Sequence, residues 1–493
     1  MGDRISVFMV CAHEPSLDPR IRWEAEAAAR RFDVTVLGFN RPDGSCPAIE
    51  DRAGYRTIRL PVVEVGGHYY FWRLKDVLPR YMLIPAAVVV ALLLPVVGVA
   101  EILFRTAAWL LRRMLRLTRR VASKLRVTSL LLSLVLTPLR RQLTSIRGLL
   151  LVRVHYILAV LRVQFSAATS TFWKYIQEST DKPDVIHCND LDTLLVGVLA
   201  KRRYGCRLVF DAHEFYPRSD PAGRWLDITF FSMIERLLIR NADAVVTVNP
   251  PLAEAMRAAY GLAEVHSVAN AEPWTGRRTK PVGTEMDRLA KGRCKFLFQG
   301  RFTPGRGLDE LVTAWASVDD ARAALFLRGP DNMWREGLIN FAAELNLLDR
   351  SIYFLDAVGE DQLVAAAAEA DVGIIPYRPL IINDRLSCPN KLSQYLHAGL
   401  MVVTNNLPYV KSIVDEAEAG LAYDSARLDT LVDIVDRILA DPELLHRCQC
   451  NALLFARRRF NWQVEGERLY ALYQRSGNGP MPQAGPSVVP AAQ

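Results

Sequence analysis

A chain of 493 residues is too long for one ordinary core, so two domains of roughly 200 residues plus extras are expected. The net charge of +8 hides an asymmetry. Residues 102–179 hold 14 Lys and Arg against one acid, Glu178, so this window carries +13 and the rest of the chain −5. Such a window calls for a negatively charged partner, an anionic membrane surface or a nucleic acid. The eight cysteines form no metal-type Cys-x-x-Cys pair, which points to reduced thiols.

Ile5 to Cys11 is an apolar run that reads as a first strand rather than a signal peptide. A polar loop holding His13, Asp18 and Arg20 follows, then a helix from about Arg22 to Arg31 and strands over Val34–Phe39 and Tyr55–Val63. This alternation predicts a parallel sheet with ligands at the carboxyl ends of its strands. The first loop lacks a G-x-G-x-x-G dinucleotide fingerprint.

The pattern then breaks. Tyr81 to Ala100 carries no charge over 20 positions, enough for about 30 Å of helix. In Phe104–Arg126, Arg112, Arg116, Arg119 and Arg120 recur at helical spacing opposite Leu111, Met114, Leu115 and Leu125, as in a basic amphipathic helix on a membrane surface. Val127 to Leu139 is short for a span. Strand-like segments resume at Pro183–Cys188, Arg207–Glu214 and Ala242–Val248. If they share a sheet with the first three strands, any crossings must be even in number. An interfacial or re-entrant insertion is preferred over two crossings or a soluble helical insertion. Arginines interleaved with Leu, Val and Trp109 rather than stacking aromatics argue against nucleic acid.

A second alternation starts near Cys294, with strands at Lys295–Gln299, Ala324–Arg328, Ile352–Leu355 and Val372–Pro376 and a helix over Leu308–Trp315. The loop Gly300-Arg301-Phe302-Thr303-Pro304-Gly305-Arg306-Gly307 joins a strand to that helix. Its glycines allow close backbone approach to a phosphate, and its arginines supply charged donors. Ser387 to Gly399 reads as a helix entered at Ser387 and Pro389 and stopped at Gly399, with Asn390 and Lys391 at its positive end. Residues 480–493, rich in Pro and Ala, read as a disordered tail.

The fold class expected is α/β: two Rossmann-like domains facing across a cleft, with a helical membrane-associated insertion in the first. The expected divisions are 1–66 and 181–275 for the N-terminal domain, 67–180 for the insertion and 276–460 for the C-terminal domain. A helix at 461–475 is expected to cross back to the N-terminal domain, with the tail at 476–493.

In this order, Asp18-Pro19-Arg20, Pro183-Asp184-Val185-Ile186-His187, Phe210-Asp211-Ala212-His213-Glu214, Gly300-Arg301 through Arg306-Gly307, and Ser387 through Gly399 resemble the motifs of glycosyltransferase family 4, retaining enzymes of GT-B fold. The resemblance covers residues 4–63 and 181–475. It implies a nucleotide-diphosphate sugar as donor, whose diphosphate Arg301 and Arg306 would hold, with Gly300, Ser387, Pro389, Asn390 and Lys391 completing the pocket. Gly329 and residues 355–358 would border the nucleoside. His213 would lie near the transferred sugar, and His13, Asp18, Arg20, Asp190 and Glu214 on the acceptor side. One departure stands out: two glutamates separated by seven residues are usual in the family, but Leu386 and Gln394 occupy these positions, and Gln394 offers a ribose only amide hydrogen bonds.

The expected function is a metal-independent, cofactor-free hexosyltransferase in polysaccharide or glycolipid synthesis, working at the cytoplasmic face of the cell membrane on a lipid-linked or membrane-surface acceptor. Partners are the sugar nucleotide and an anionic membrane, not nucleic acid. The alternatives are a non-catalytic sugar-nucleotide or glycan-binding protein, or a sugar-nucleotide epimerase with Glu214 as its base.

Overall fold

The computed structural model describes residues 4–41, 43–52, 54–63, 68–77, 156, 157, 159–218, 225–276 and 280–474. They fall into two compact units, one within Met1–Pro61, Ser179–Gly223 and Phe231–Gln493, the other within Val62–Glu178 and Arg224–Phe230.

The first unit contains two sheets. Strands β1 (Ser6–Val10), β2 (Asp33–Phe39), β3 (Ile49–Arg52), β4 (Tyr55–Leu60), β5 (Val185–Asn189), β6 (Arg207–Ala212), β7 (Ala244–Thr247) and β8 (His266–Ser267) run in the order β3-β4-β2-β1-β5-β6-β7-β8. Only β3 is antiparallel, to β4. The second sheet orders β9 (Cys294–Gln299), β10 (Ala323–Arg328), β11 (Ile352–Leu355), β12 (Val372–Ile375), β13 (Met401–Asn405) and β14 (Gly420–Tyr423) as β11-β10-β9-β12-β13-β14, all parallel. Every residue of β5 and β10 is buried, because helices cover both faces of a parallel sheet. Strand order reverses beside β1 and beside β9, and loops from the carboxyl ends of both sheets meet in a cleft. Strands from either side of the insertion do share one sheet: β1 pairs with β5 from Val7↔Val185 to Val10↔Cys188.

Several boundaries differ from the sequence expectation. The helix expected at Arg22–Arg31 spans Pro19–Ala28. Asp18 caps it, accepting from the Arg20 N–H at 2.9 Å, and Pro19 takes the first-turn position where a missing N–H costs nothing. Strand β4 stops at Leu60, and the short strands β3, β8 and β14 had too few alternating residues to stand out. All eight cysteines are unbridged.

The helix Trp462–Gln474 packs into the N-terminal core. Trp462 lies 6.0 Å from Trp23 and Tyr473 5.5 Å from Phe32, among Val7, Met9 and Val34. The Tyr473 hydroxyl meets Nδ1 of His187 at 2.7 Å. Because Trp462 is 2% exposed, Trp462→Ala should destabilise the chain by about 3–5 kcal/mol, seen as a lower thermal midpoint that Trp462→Phe largely restores.

In the second unit the helix His68–Val77 meets the π-helical turn Leu161–Ser166. Tyr70 sets its ring edge-on to Phe165 at 5.2 Å, and its backbone N–H donates to Ser166 Oγ at 3.3 Å. Among the described residues no helix is long and apolar enough to cross a membrane. The segments expected to do so or to lie on a membrane, 81–100, 104–126 and 127–139, and the tail from 480, lie outside the described residues.

Candidate functional site

The loop after β9 is shaped by glycine: Gly300, Gly305 and Gly307 have φ of 145°, 84° and 69°. A Cβ on Gly307 would stand 1.9 Å from the Pro376 carbonyl oxygen, so the loop closes against the end of β12 only because position 307 has no side chain. Gly307→Ala should therefore strain this loop and lower the thermal midpoint, which a melt of the two proteins side by side checks.

This closure brings Arg306 over the ring of Tyr377, 4.1 Å from its centroid. On the ring's other contact, Lys391 Nζ lies 4.3 Å from the same centroid and 5.0 Å from that of Phe298, and it donates to the Tyr377 hydroxyl. Among the described residues neither cation makes an ion pair. Burial, with Arg306 adding to it, pulls Lys391 below the ordinary lysine range. Burial opposes ionisation of Tyr377, but the charges of Lys391 and Arg306 outweigh it and lower the phenol's pKa. Lys391 is the second residue of the helix Asn390–Ala398, which is capped by Gly399 with φ 73°. Its N-cap, Pro389, supplies no side-chain acceptor, so the positive end of the helix stands open at the cavity wall.

The cavity so formed measures about 590 Å³. On its C-terminal-domain side are Gly300, Arg306, Ser387, Pro389, Asn390 and Lys391, with Gln394 deeper. His213 and Glu214 face it from the loop after β6. Gln299 donates from Nε2 to Gln394 Oε1 at 3.3 Å, and the buried Gln299 Oε1 has no hydrogen-bond partner.

Not every expected residue reaches the cavity. Arg301 is exposed and absent from the wall: the turn at Gly300 presents backbone to the cavity and sends the next side chain to solvent. Gly329 packs against the Gly300 carbonyl instead, and residues 355–358 are not part of the wall. Tyr377 and Gln299 were not anticipated. The available signal was position alone, each lying at or just past the carboxyl end of a strand.

His213 is held by carboxylates. Its Nδ1 lies 3.2 Å from Asp18 Oδ2 and 3.7 Å from Asp190 Oδ2, and its Nε2 lies 3.8 Å from Asp211 Oδ2. Its backbone N–H donates to Asp190 Oδ1 at 3.2 Å. Burial disfavours the charged ring, but Asp190, Asp18 and Asp211 outweigh burial and push its pKa up to about 10. Asp190 adopts φ 62° and ψ 167°, a region where a Cβ is costly, so strain is stored beside this histidine. The buried Nε2 of His213 has no hydrogen-bond partner.

Arg20, expected on the acceptor side, is 1% exposed and committed to the interior. It donates to Asp211 at 2.7 and 3.0 Å, to the Val268 carbonyl at 2.9 Å and to Asn270 at 3.0 Å, and pairs with Glu24 at 3.0 Å. Glu24, His187 and Asp211 stand close enough to ligate a metal ion, but the cation these carboxylates hold is the Arg20 guanidinium.

A second cavity of about 380 Å³ adjoins the first and shares His213 and Asn390 with it. Its remaining wall includes His13, Leu17, Asp18 and Asn270.

Residues 112–271 match a family model described as a glycosyl transferase 4-like domain, and residues 293–441 match glycosyl transferases group 1. An uncharacterized glycosyltransferase of Bacillus subtilis (strain 168), YqgM, is 25% identical over 289 residues, covering 57% of this chain and 74% of its own. Sucrose-phosphate synthase from Thermosynechococcus elongatus is similar in fold, with a TM-score of 0.64 at 17% identity over 96% of this chain and 98% of that one. The E. coli trehalose-6-phosphate protein bound with UDP-2-fluoro glucose superposes with a TM-score of 0.56 at 13% identity, covering 96% and 99%. Two glycosyltransferase domains in succession, carried on two mainly parallel sheets, make this chain a group 1 glycosyltransferase of GT-B-like fold.

Proposed function

We propose that the protein transfers a sugar, with retention of anomeric configuration, from a nucleoside-diphosphate sugar to a lipid-linked saccharide at the cytoplasmic face of the cell membrane. The observation that carries the donor half is the pair Arg306 and Lys391: two cations without ion-pair partners among the described residues, beside an open helix N-terminus. Such a wall binds a diphosphate and stabilises the charge that grows on it as the sugar departs. The UDP-2-fluoro glucose on a protein of similar fold supports a sugar nucleotide as occupant. Retention rests on the motif resemblance, and the membrane half on the uncharged stretch 81–100 and the basic window around it.

Because Arg306, Lys391 and the helix terminus supply the positive charge, activity should persist in EDTA. Loss of turnover on chelation, restored by Mg²⁺ or Mn²⁺, would overturn the metal-independent reading. The central test incubates the full chain with a panel of nucleotide sugars and native lipid extract and identifies products by mass spectrometry and anomeric NMR. A glycosylated lipid with retained configuration is expected. The neutral Gln299–Gln394 pair, where a carboxylate is usual, favours a second reading, sugar-nucleotide binding without transfer. Donor binding with no product from any extract would select it.

A further inference from the structure

We infer that the second cavity, which lies on the acceptor side that the motifs imply, selects an uncharged, hydroxyl-bearing sugar ring over a phosphorylated one. This rests on the first cavity being the donor site.

The location comes first. Two side chains line both cavities, and both have hydrogen-bonding capacity to spare: His213 has a buried Nε2 without a hydrogen-bond partner, and the Asn390 carboxamide makes no hydrogen bond among the described residues. A group bound on one side is therefore within reach of the same donors as a group on the other. The volume of about 380 Å³ falls within the range of small-molecule sites, about 300–1,000 Å³.

The charge of the wall selects the ligand. Asp18 is its carboxylate, 24% exposed at the side chain, with Oδ1 taken by the Arg20 N–H and Oδ2 by His213. The one arginine in the wall, Arg20, is 1% exposed and has its guanidinium turned to Asp211, Glu24, Asn270 and the Val268 carbonyl, so its charge is spent inside the fold rather than offered to a phosphate. The imidazolium of His213 is already matched by Asp18, Asp190 and Asp211. A phosphate or carboxylate here would meet Asp18 with no free cation, whereas hydroxyls can both donate to Asp18 and accept from Asn390. His13 adds a ring whose Nδ1 is used by the Glu14 carbonyl at 3.0 Å and whose Nε2 meets no partner among the described residues. Leu17, 65% exposed at the rim, offers an apolar edge suited to the C–H face of a sugar ring.

In the transfer the bond from the anomeric carbon to the diphosphate oxygen breaks and a bond to the acceptor hydroxyl oxygen forms. The hydroxyl proton passes to the departing diphosphate. His213, already protonated, donates from Nε2 and takes no proton.

Saturation-transfer NMR on the full chain, with UDP present, tests this using the methyl α-glycosides of glucose, galactose and mannose and their 6-phosphates as probes. At least one glycoside should give signal, and the 6-phosphates at least fivefold less. His13→Trp, filling the cavity, and Leu17→Trp, blocking its rim, should each cut the glycoside signal at least fivefold while UDP affinity stays within twofold. Signal that survives both variants, equal binding of the phosphates, or no glycoside signal at all would overturn the assignment. Failure of UDP to bind the unsubstituted chain, with glycoside binding still lost in the variants, would instead strike the donor-site reading.

Discussion

Lys391→Met should lower turnover on the order of a hundredfold to a thousandfold, about 2.7–4 kcal/mol, the range for removing one preorganised donor from a developing anion. Methionine keeps the packing against Phe298 and Tyr377, so the loss reads the charge rather than the fold. Arg306→Ala should cost at least tenfold, about 1.4 kcal/mol or more. Arg301→Ala should cost less than threefold, because that side chain is exposed and outside the cavity wall. Steady-state kinetics with a saturating donor decide the matter. Equal losses at Arg301 and Arg306 would show that the glycine loop rearranges on binding, and unchanged kinetics in Lys391→Met would remove the diphosphate assignment.

The second large effect concerns protonation. His213→Ala should reduce transfer on the order of a hundredfold, since it removes a charged donor from the junction of the two cavities. With its pKa raised to about 10, above an unfolded value of about 6.5, the charged ring contributes stability that is fully present below pH ~6.5 and is lost as pH rises through about 10. The groups that set this are Asp190 and Asp18 on the loops and Asp211 on β6, with Glu24 and Asp192 near enough to interact with the ring, while Arg20 and His13 act on Asp211 and Asp18 in turn. The pH–rate profile of the unsubstituted protein should thus show no inflection from His213 between pH 6 and 8. Asp18→Asn keeps a helix cap but removes one carboxylate, so the alkaline decline should move to lower pH. A profile that does not move would mean that Asp18 does not hold the proton on His213.

Much of this architecture was legible because its signals are local. Short apolar runs ending in polar loops mark parallel strands, and a helix does open at Leu308, where the pattern places one. Pro389, Asn390, Lys391 and Gly399 announce a helix with an open positive end, and it spans Asn390–Ala398. Less legible were short strands such as β8, two residues long and defined by its neighbour's hydrogen bonds rather than by any period of its own.

The distinction is sharpest among arginines. Arg20, Arg301 and Arg306 are the same letter in loops that the motifs mark as functional, yet one is locked to Asp211 in the interior, one faces solvent and one stacks on Tyr377. Spacing along the chain fixed which residues could form strands, caps and glycine turns, because those depend on backbone preferences within a few positions. Tertiary structure alone decided which charges are spent on one another and which stay available to a ligand, because the carboxylates that neutralise Arg20 and His213 arrive from strands and loops as far off in sequence as Asp211 is from Arg20 and Asp18 from His213.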